Sequence, residues 1–157
     1  MSEQQVSEQQ ASFSIEKLYV KDLSLEVPNA PQVFLETEAP SIDIQLENSG
    51  TVMGNDMYEA VLKVTITAKR DDKTYFLVEV SQAGIFRIVG VPQEALDPIM
   101  AVACPNILFP YARESVSDAV NRAGFPPVIL APVNFEAMYQ QRMAAEPQAA
   151  AESTTLQ

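Results

Sequence analysis

The sequence predicts an α+β domain in which a four-stranded antiparallel sheet carries helices packed on one face. Three observations support this prediction. Apolar and polar residues alternate from residue 12 to residue 89, which is the period of β-strands. Beyond residue 92 the apolar spacing becomes helical. The chain has 157 residues, a length that suits one domain rather than two.

The first strand is predicted over Ser12–Val27. Six of its eight odd-numbered positions are apolar or aromatic, and six of its eight even-numbered positions are polar. An unbroken period of two places Leu18 and Val20 on the outward face of the sheet, among the polar residues. Pro28 and Pro31 end the strand, because proline cannot donate a hydrogen bond to a ladder.

Three further strands follow the same period, and they cover Ser41–Glu47, Met57–Lys69 and Thr74–Gln82. A loop is predicted after the second strand, since Asn48, Gly50 and Gly54 are turn-forming residues. Within the fourth strand Gly84 indicates a bend, and Ile85–Val89 extends the strand beyond it.

Three prolines exclude one regular helix over residues 92–123, and they are Pro98, Pro105 and Pro110. The predicted helix therefore covers Pro110–Ala123, because proline is tolerated in a first turn. Gly124 is expected as the residue after the C-cap. A last helix is expected to begin at Phe135, with Asn134 as its N-cap.

The ends of the chain are rich in polar residues and in alanine, and residues 1–11 and 146–157 are predicted to be disordered tails around a domain at 12–145. The first ten residues are polar and acidic, unlike a signal peptide. No apolar run reaches the length of a membrane span. The single cysteine, Cys104, suits a reducing compartment. We therefore expect a cytoplasmic protein without direct membrane insertion.

The charge balance excludes several classes of function. Ten basic and 21 acidic residues give a net charge of −11 and a pI near 4.3. A protein that binds nucleic acid along its phosphates needs clustered Lys and Arg, so we expect no nucleic-acid partner. The chain has no histidine, which excludes Ser-His-Asp triads and histidine metal ligands. The acidic surface permits basic or apolar partners.

The sequence offers no set of residues that assembles a reaction. Asp71 and Asp72 are adjacent carboxylates, but they lie at a predicted hairpin tip, where a solvated turn explains them. Cys104 precedes a proline in an apolar segment and is interpreted as a core thiol. No enzyme, cofactor or metal site is therefore predicted, and binding is the better class of hypothesis.

Two features suggest binding. The outward faces of the first and fourth strands place carboxylates around an exposed leucine, and the residues are Asp22, Glu26, Leu77 and Glu79. An ordinary solvated sheet face is the plain alternative. The second feature is an apolar surplus in the crossover bounded by prolines (Pro31–Pro40) and in the last helix, at Val33, Phe34, Phe135, Met138 and Tyr139. Simple packing of these two segments on each other is the alternative here.

Four segments of the chain resemble the SecB protein-export chaperones. They are YVKDLSLEVPNAP (Tyr19–Pro31), FLVEVSQAGIF (Phe76–Phe86), CPNILFPYARE (Cys104–Glu114) and LAPVNFEAMY (Leu130–Tyr139). The resemblance covers about Phe13 to Met143 in the same order along the chain.

The resemblance implies an ATP-independent holdase that binds unfolded secretory precursors and delivers them to the SecA motor. It also implies a homotetramer, a dimer of dimers with helices packed between the dimers. The zinc-binding C-terminal tail of SecA would dock on Asp22, Glu26, Leu77 and Glu79, and the zinc would belong to that partner.

The same resemblance implies a client groove between the crossover and the last helix, at Val33, Phe34, Phe135, Met138 and Tyr139. Val78, Val80 and Gln82 match positions linked to tetramer assembly. The alanine-rich stripe of the main helix, which includes Val116 and Val120, is expected either in the core or at a subunit interface.

Three other functions stay open at this point. A SecB-like protein can guard an antitoxin, and the four outward residues favour export over that role. An oligomeric carrier of a small apolar ligand would need a closed pocket. An enzyme with carboxylate catalysis would need an Asp or Glu in a cleft with a strongly raised pKa.

Overall fold

The computed structural model describes residues 10–154, with side chains described up to residue 146. Four antiparallel strands form one sheet in the order β1-β4-β3-β2. They are β1 (Ser12–Glu26), β2 (Ser41–Gly54), β3 (Met57–Arg70) and β4 (Lys73–Val89). Helices pack on one face of this sheet, so the predicted fold class is confirmed. We call that face the inner face and the opposite one the outer face.

Two bulges interrupt β1. Its pairing with β4 shifts between Ile15 and Lys17 and again between Val20 and Asp22. Each extra residue reverses which face the following side chains point to. The expectation of an unbroken period of two is therefore wrong. The inner face of β1 carries Phe13, Ile15, Leu18, Val20, Leu23 and Leu25, whose partners on β4 are all inner-face residues.

Strands β2 and β4 are longer than predicted. The segment predicted as a loop continues β2 through Gly54, and the turn is made by Asn55 and Asp56 at positive φ. Strand β4 passes Gly84 in regular register with β3, so no bulge interrupts that pairing where the bend is predicted. A Cβ at Gly84 would lie 2.8 Å from the Phe86 ring, and this close approach explains the glycine.

The helical layer begins earlier than predicted. Helix α1 (Gln93–Pro98) leads through a π-helical turn (Ile99–Ala103) into α2 (Cys104–Arg122). The prolines thus exclude a regular helix, as expected, but not a continuous one. By length and composition alone, Gln93–Arg122 is also apolar enough to cross a membrane, which corrects the expectation that no segment reaches that length.

The predicted end of α2 and the predicted start of the last helix are confirmed. Gly124 follows the C-cap of α2 with φ of 94°, and the Phe125 amide donates to the Val120 carbonyl at 3.3 Å. Helix α3 (Phe135–Thr154) is capped by Asn134, whose Oδ1 accepts from the Ala137 amide at 2.9 Å. Helix α3 continues to Thr154, so it extends into the segment 146–157 that is predicted as a tail. Residues 1–9 and 155–157 of the predicted tails lie outside the described residues.

The core lies between α2 and the inner face of β3 and β4. Alternating residues of β3 and the apolar stripe of α2 are fully buried there, including Leu62, Val64, Ile66, Leu108, Ala112 and Val116. The two edge strands extend beyond this helix, so their inner faces stay partly exposed. At β1 the exposed fractions are 48% for Val20 and 50% for Leu23, and at β2 they are 41% for Ile42 and 45% for Ile44.

An acidic docking face and two apolar surfaces

The four predicted docking residues lie together on the outer face. Glu26 pairs with Leu77 across β1 and β4, and the two residues therefore point the same way. The next outer-face pair along the two strands is Ser24 with Glu79, and the one after it is Asp22 with Ser81. We call this group of Asp22, Glu26, Leu77 and Glu79 the docking face.

The carboxylate of Glu79 is already engaged within the chain. The Lys63 ammonium lies 3.6 Å from it, and the Thr65 hydroxyl donates to it at 3.5 Å. Lys63 also lies 3.7 Å from Glu47 on β2. With partly exposed Leu77 beside these carboxylates, the face can accept a basic segment that carries an apolar residue.

A polar cluster borders the docking face and was missed at the level of sequence. The Tyr19 hydroxyl and the Lys21 ammonium both donate to the Glu59 carboxylate, the latter at 2.7 Å. Burial and the Glu59 hydrogen bond raise the pKa of Tyr19 to about 12. The Lys21 hydrogen bond, with that of Tyr19, holds the pKa of Glu59 below its usual value. Tyr19 reaches this face because of the first bulge in β1.

The crossover forms an aromatic surface at one end of α2. Residues Gln32–Leu35 make a 3-10 turn, in which Val33 is buried and Phe34 is 48% exposed. The Phe34 ring stacks on Phe125 at 5.1 Å, and Phe125 packs on Phe76 at 5.0 Å. Phe34 thus offers one ring face to the core and the other to a ligand.

The start of α3 forms a second apolar surface. Phe135 is buried against Phe109 with a ring separation of 5.9 Å, and Met138 is 41% exposed. The Tyr139 hydroxyl donates to Asp97 on α1 at 3.1 Å. Burial and the Asp97 hydrogen bond raise the pKa of Tyr139. Tyr139 therefore fixes α3 to α1 as well as lining its surface.

These two surfaces lie at different points along α2. The crossover contacts Phe125, just after the C-terminal end of α2, whereas α3 contacts Phe109 in its first half. At a rise of about 1.5 Å per residue these two points are roughly 20 Å apart. The predicted groove between the crossover and α3 would have to span this separation, and it stays a prediction.

The predicted interface residues are buried inside the single chain. Each is at most 3% exposed, and the five are Val78, Val80, Gln82, Val116 and Val120. Gln82 donates to the Tyr19 carbonyl at 3.1 Å. In the isolated subunit these side chains support β1 and α2. Their part in assembly stays a prediction.

A sheet with an acidic face on one side and exposed apolar surfaces on the other defines a protein-binding domain rather than a catalytic one. The comparisons with known proteins agree. The model of the family "Preprotein translocase subunit SecB" matches residues 6–146. The chain therefore belongs to the SecB family of protein-export chaperones, and it is a chaperone, not an enzyme.

Similar proteins support this assignment. The protein-export protein SecB of Dechloromonas aromatica is 65% identical over 144 residues, which is 92% of this chain and 95% of the relative. That of Chromobacterium violaceum is 64% identical over 149 residues, 95% of this chain and 98% of the relative.

A solved structure has the same fold at low identity. It is a SecB-like chaperone of Mycobacterium tuberculosis, determined in complex with a ChAD peptide from the HigA1 antitoxin. The similarity has a TM-score of 0.65 at 17% identity and covers 77% of this chain and 90% of the other.

Proposed function

We propose that this chaperone is an ATP-independent holdase of the cytoplasm, which binds unfolded secretory precursors and delivers them to SecA. One observation carries the proposal. The docking face and the apolar surfaces lie on opposite sides of one sheet, at Glu79 and Leu77 on the outer side and at Phe34 and Met138 on the helical side. A client and a motor can therefore bind at the same time.

Clients are proposed to bind at the crossover and at α3. Phe34 and Met138 expose apolar area, and burial of such area contributes about 25 cal/mol per Å². A folded protein hides its apolar residues, so only unfolded or slowly folding chains are held. Several such surfaces on one oligomer would raise the affinity by effective concentration.

SecA is proposed to bind through its zinc-binding C-terminal tail. The carboxylates of Asp22, Glu26 and Glu79 would attract its basic residues, and Leu77 would provide an apolar contact. The zinc ion belongs to that tail.

The active form is proposed to be a homotetramer, a dimer of dimers. The exposed apolar row on β1 supports this proposal, because Phe13, Ile15, Val20 and Leu23 are between 40% and 50% exposed in the single chain. Such a row on an edge strand is stabilised when a second subunit covers it. Light scattering should give four times the chain mass of 17.2 kDa.

Calorimetric titration with the zinc-loaded C-terminal tail of SecA tests the motor contact. We expect saturable binding that is lost in Asp22→Lys/Glu79→Lys. The matched control is Glu114→Lys/Glu136→Lys, which makes the same charge change on the exposed surface of the helices. Equal loss in both double variants would mean that net charge, not the docking face, governs binding.

Suppression of aggregation of an unfolded precursor tests the client surfaces. Phe34→Ser should weaken suppression without changing the SecA-tail affinity. Tyr139→Ala should weaken it as well, and Tyr139→Phe separates the loss of the Asp97 hydrogen bond from the loss of the ring. If Phe34→Ser abolishes both activities, the two sites are not separate.

A further inference from the structure

Lys63 lies between two carboxylates on the outer face. Its ammonium is 3.6 Å from Glu79 on β4 and 3.7 Å from Glu47 on β2. Glu47 is its direct cross-strand neighbour, whereas Glu79 faces Thr65, the next outer-face residue of β3. The Lys63 side chain is 38% exposed, that of Glu79 36% and that of Glu47 76%. All three groups are therefore accessible to an arriving ligand.

We propose that Lys63 is a resident counter-ion that determines which ligands the docking face accepts, and that Glu47 acts on docking through it. The inference rests on the proposed function of that face. A basic residue of the partner must displace the Lys63 ammonium from Glu79. Lys63 then pairs with Glu47 alone, so Glu47 aids docking without touching the partner.

The geometry favours this exchange. Both ion-pair distances exceed those of a close charge-assisted hydrogen bond, so the ammonium is shared rather than held by either carboxylate. A lysine can move between them by rotating its side chain, because it is a point charge on a flexible stem. The Thr65 hydroxyl also donates to Glu79, at 3.5 Å, so Glu79 has a second donor besides Lys63.

The exchange also filters ligands. A weakly basic segment gains little binding free energy, because it only replaces the Lys63 ammonium at Glu79 by another cation in exposed surroundings. A segment whose cations reach Asp22, Glu26 and Glu79 together forms more ion pairs than it breaks, because only the pair between Lys63 and Glu79 is lost. Lys63 thus favours strongly basic partners and keeps the face from binding isolated lysines of client chains.

A double-mutant cycle tests the inference. The zinc-loaded C-terminal tail of SecA is titrated calorimetrically into the parent chain, Lys63→Met, Glu47→Gln and the double variant at one salt concentration. We expect Lys63→Met to lower Kd about two- to fivefold, the range of an exposed ion pair. Glu47→Gln should raise Kd about twofold in the parent background and leave it unchanged in the Lys63→Met background.

Lys17→Met is the matched control for charge. Lys17 is exposed on the same outer face but lies opposite Ile85, away from Glu79. Its removal should change Kd less than that of Lys63. Equal effects of the two lysines, or equal effects of Glu47→Gln in both backgrounds, would overturn the inference and leave the docking face intact. A parent chain that does not bind the tail would instead overturn the proposed function, and this inference with it.

Discussion

Asn48 on β2 donates its side-chain amide to the backbone carbonyl of Ala101 in the π-helical turn at 3.3 Å, and to that of Met100 at 3.4 Å. Pro105, which has no amide hydrogen, follows four residues after Ala101 and five after Met100. These two carbonyls are the acceptors that an amide at position 105 would have used in an α- or a π-helix. Asn48 replaces the missing donor and joins the sheet to the helical layer.

Asn48→Ala should therefore destabilise the subunit. Two partly buried carbonyls lose their donor, which should lower the free energy of unfolding by about 1–3 kcal/mol. Urea unfolding at one fixed protein concentration measures the change, since assembly affects apparent stability. Gln45→Ala, on the exposed outer face of the same strand, should change it by less than about 0.5 kcal/mol. A similar loss in both variants would contradict this role of Asn48.

Gly84 and Gly50 provide a contrasting pair of substitutions. A Cβ at Gly84 would meet the Phe86 ring at 2.8 Å and Leu18 at 3.0 Å. The Phe86 ring is buried and cannot yield easily, so Gly84→Ala should cost about 1–3 kcal/mol of unfolding free energy. A Cβ at Gly50 would meet the terminal methyl of Met100 at 2.7 Å, and a thioether side chain can rotate away.

Gly50→Ala should accordingly be tolerated, and thermal unfolding of both variants measures the difference. A larger loss of melting temperature at Gly50 than at Gly84 would mean that the Met100 side chain is fixed in its contact with β2.

The crossover is tied to the β3–β4 hairpin by Tyr75. Its hydroxyl donates to the Glu38 carbonyl at 2.9 Å, and Lys73 pairs with Glu36 at 2.6 Å beside it. Tyr75→Phe should remove about 1 kcal/mol of local stability and speed amide hydrogen exchange over residues 36–39. The exposed ion pair contributes less and is screened by salt.

Tyr111→Phe is the control, because this tyrosine is 46% exposed on α2. If hydrogen exchange in the crossover is the same in Tyr75→Phe as in the parent chain, the aromatic packing of Phe34 on Phe125 holds the crossover by itself.

The four strands of the sheet could be predicted from the sequence. Which face of the sheet each side chain of β1 points to could not. Burial alternates along β3, and that alternation appears directly in its residues. In β1 the two bulges occur where Glu16 and Lys21 are passed over in the register. Both residues are polar and can point to solvent from either position, so the pattern carries no sign of the shift. The first shift places Tyr19 on the outer face, where it contacts Glu59, and this contact was missed for the same reason.

The shared outer-face position of Asp22, Glu26, Leu77 and Glu79 was predictable because these residues lie on regular segments. Asp22 and Glu26 follow the second bulge, so their spacing of four residues kept them on one face, and Glu79 and Leu77 lie on an uninterrupted strand. The positions of the two apolar surfaces depend instead on where the crossover and α3 pack along α2. The resemblance identified Phe34 and Phe135, but their positions at different points along α2 follow from packing on Phe125 and Phe109.

Tyr19 should ionise well above the usual range of a phenol. Burial disfavours its phenolate, and the hydrogen bond and the negative charge of Glu59 add to this, so its pKa is raised to about 12. Since the folded pKa exceeds the unfolded value of about 10, the neutral phenol contributes stability in full below pH 10, and that contribution is lost as the pH rises towards 12. The ultraviolet absorbance of phenolate, recorded against pH for the parent chain and Tyr19→Phe, isolates this group as a difference curve. A midpoint of that difference curve near 10 would mean that Tyr19 and Glu59 are not paired in solution.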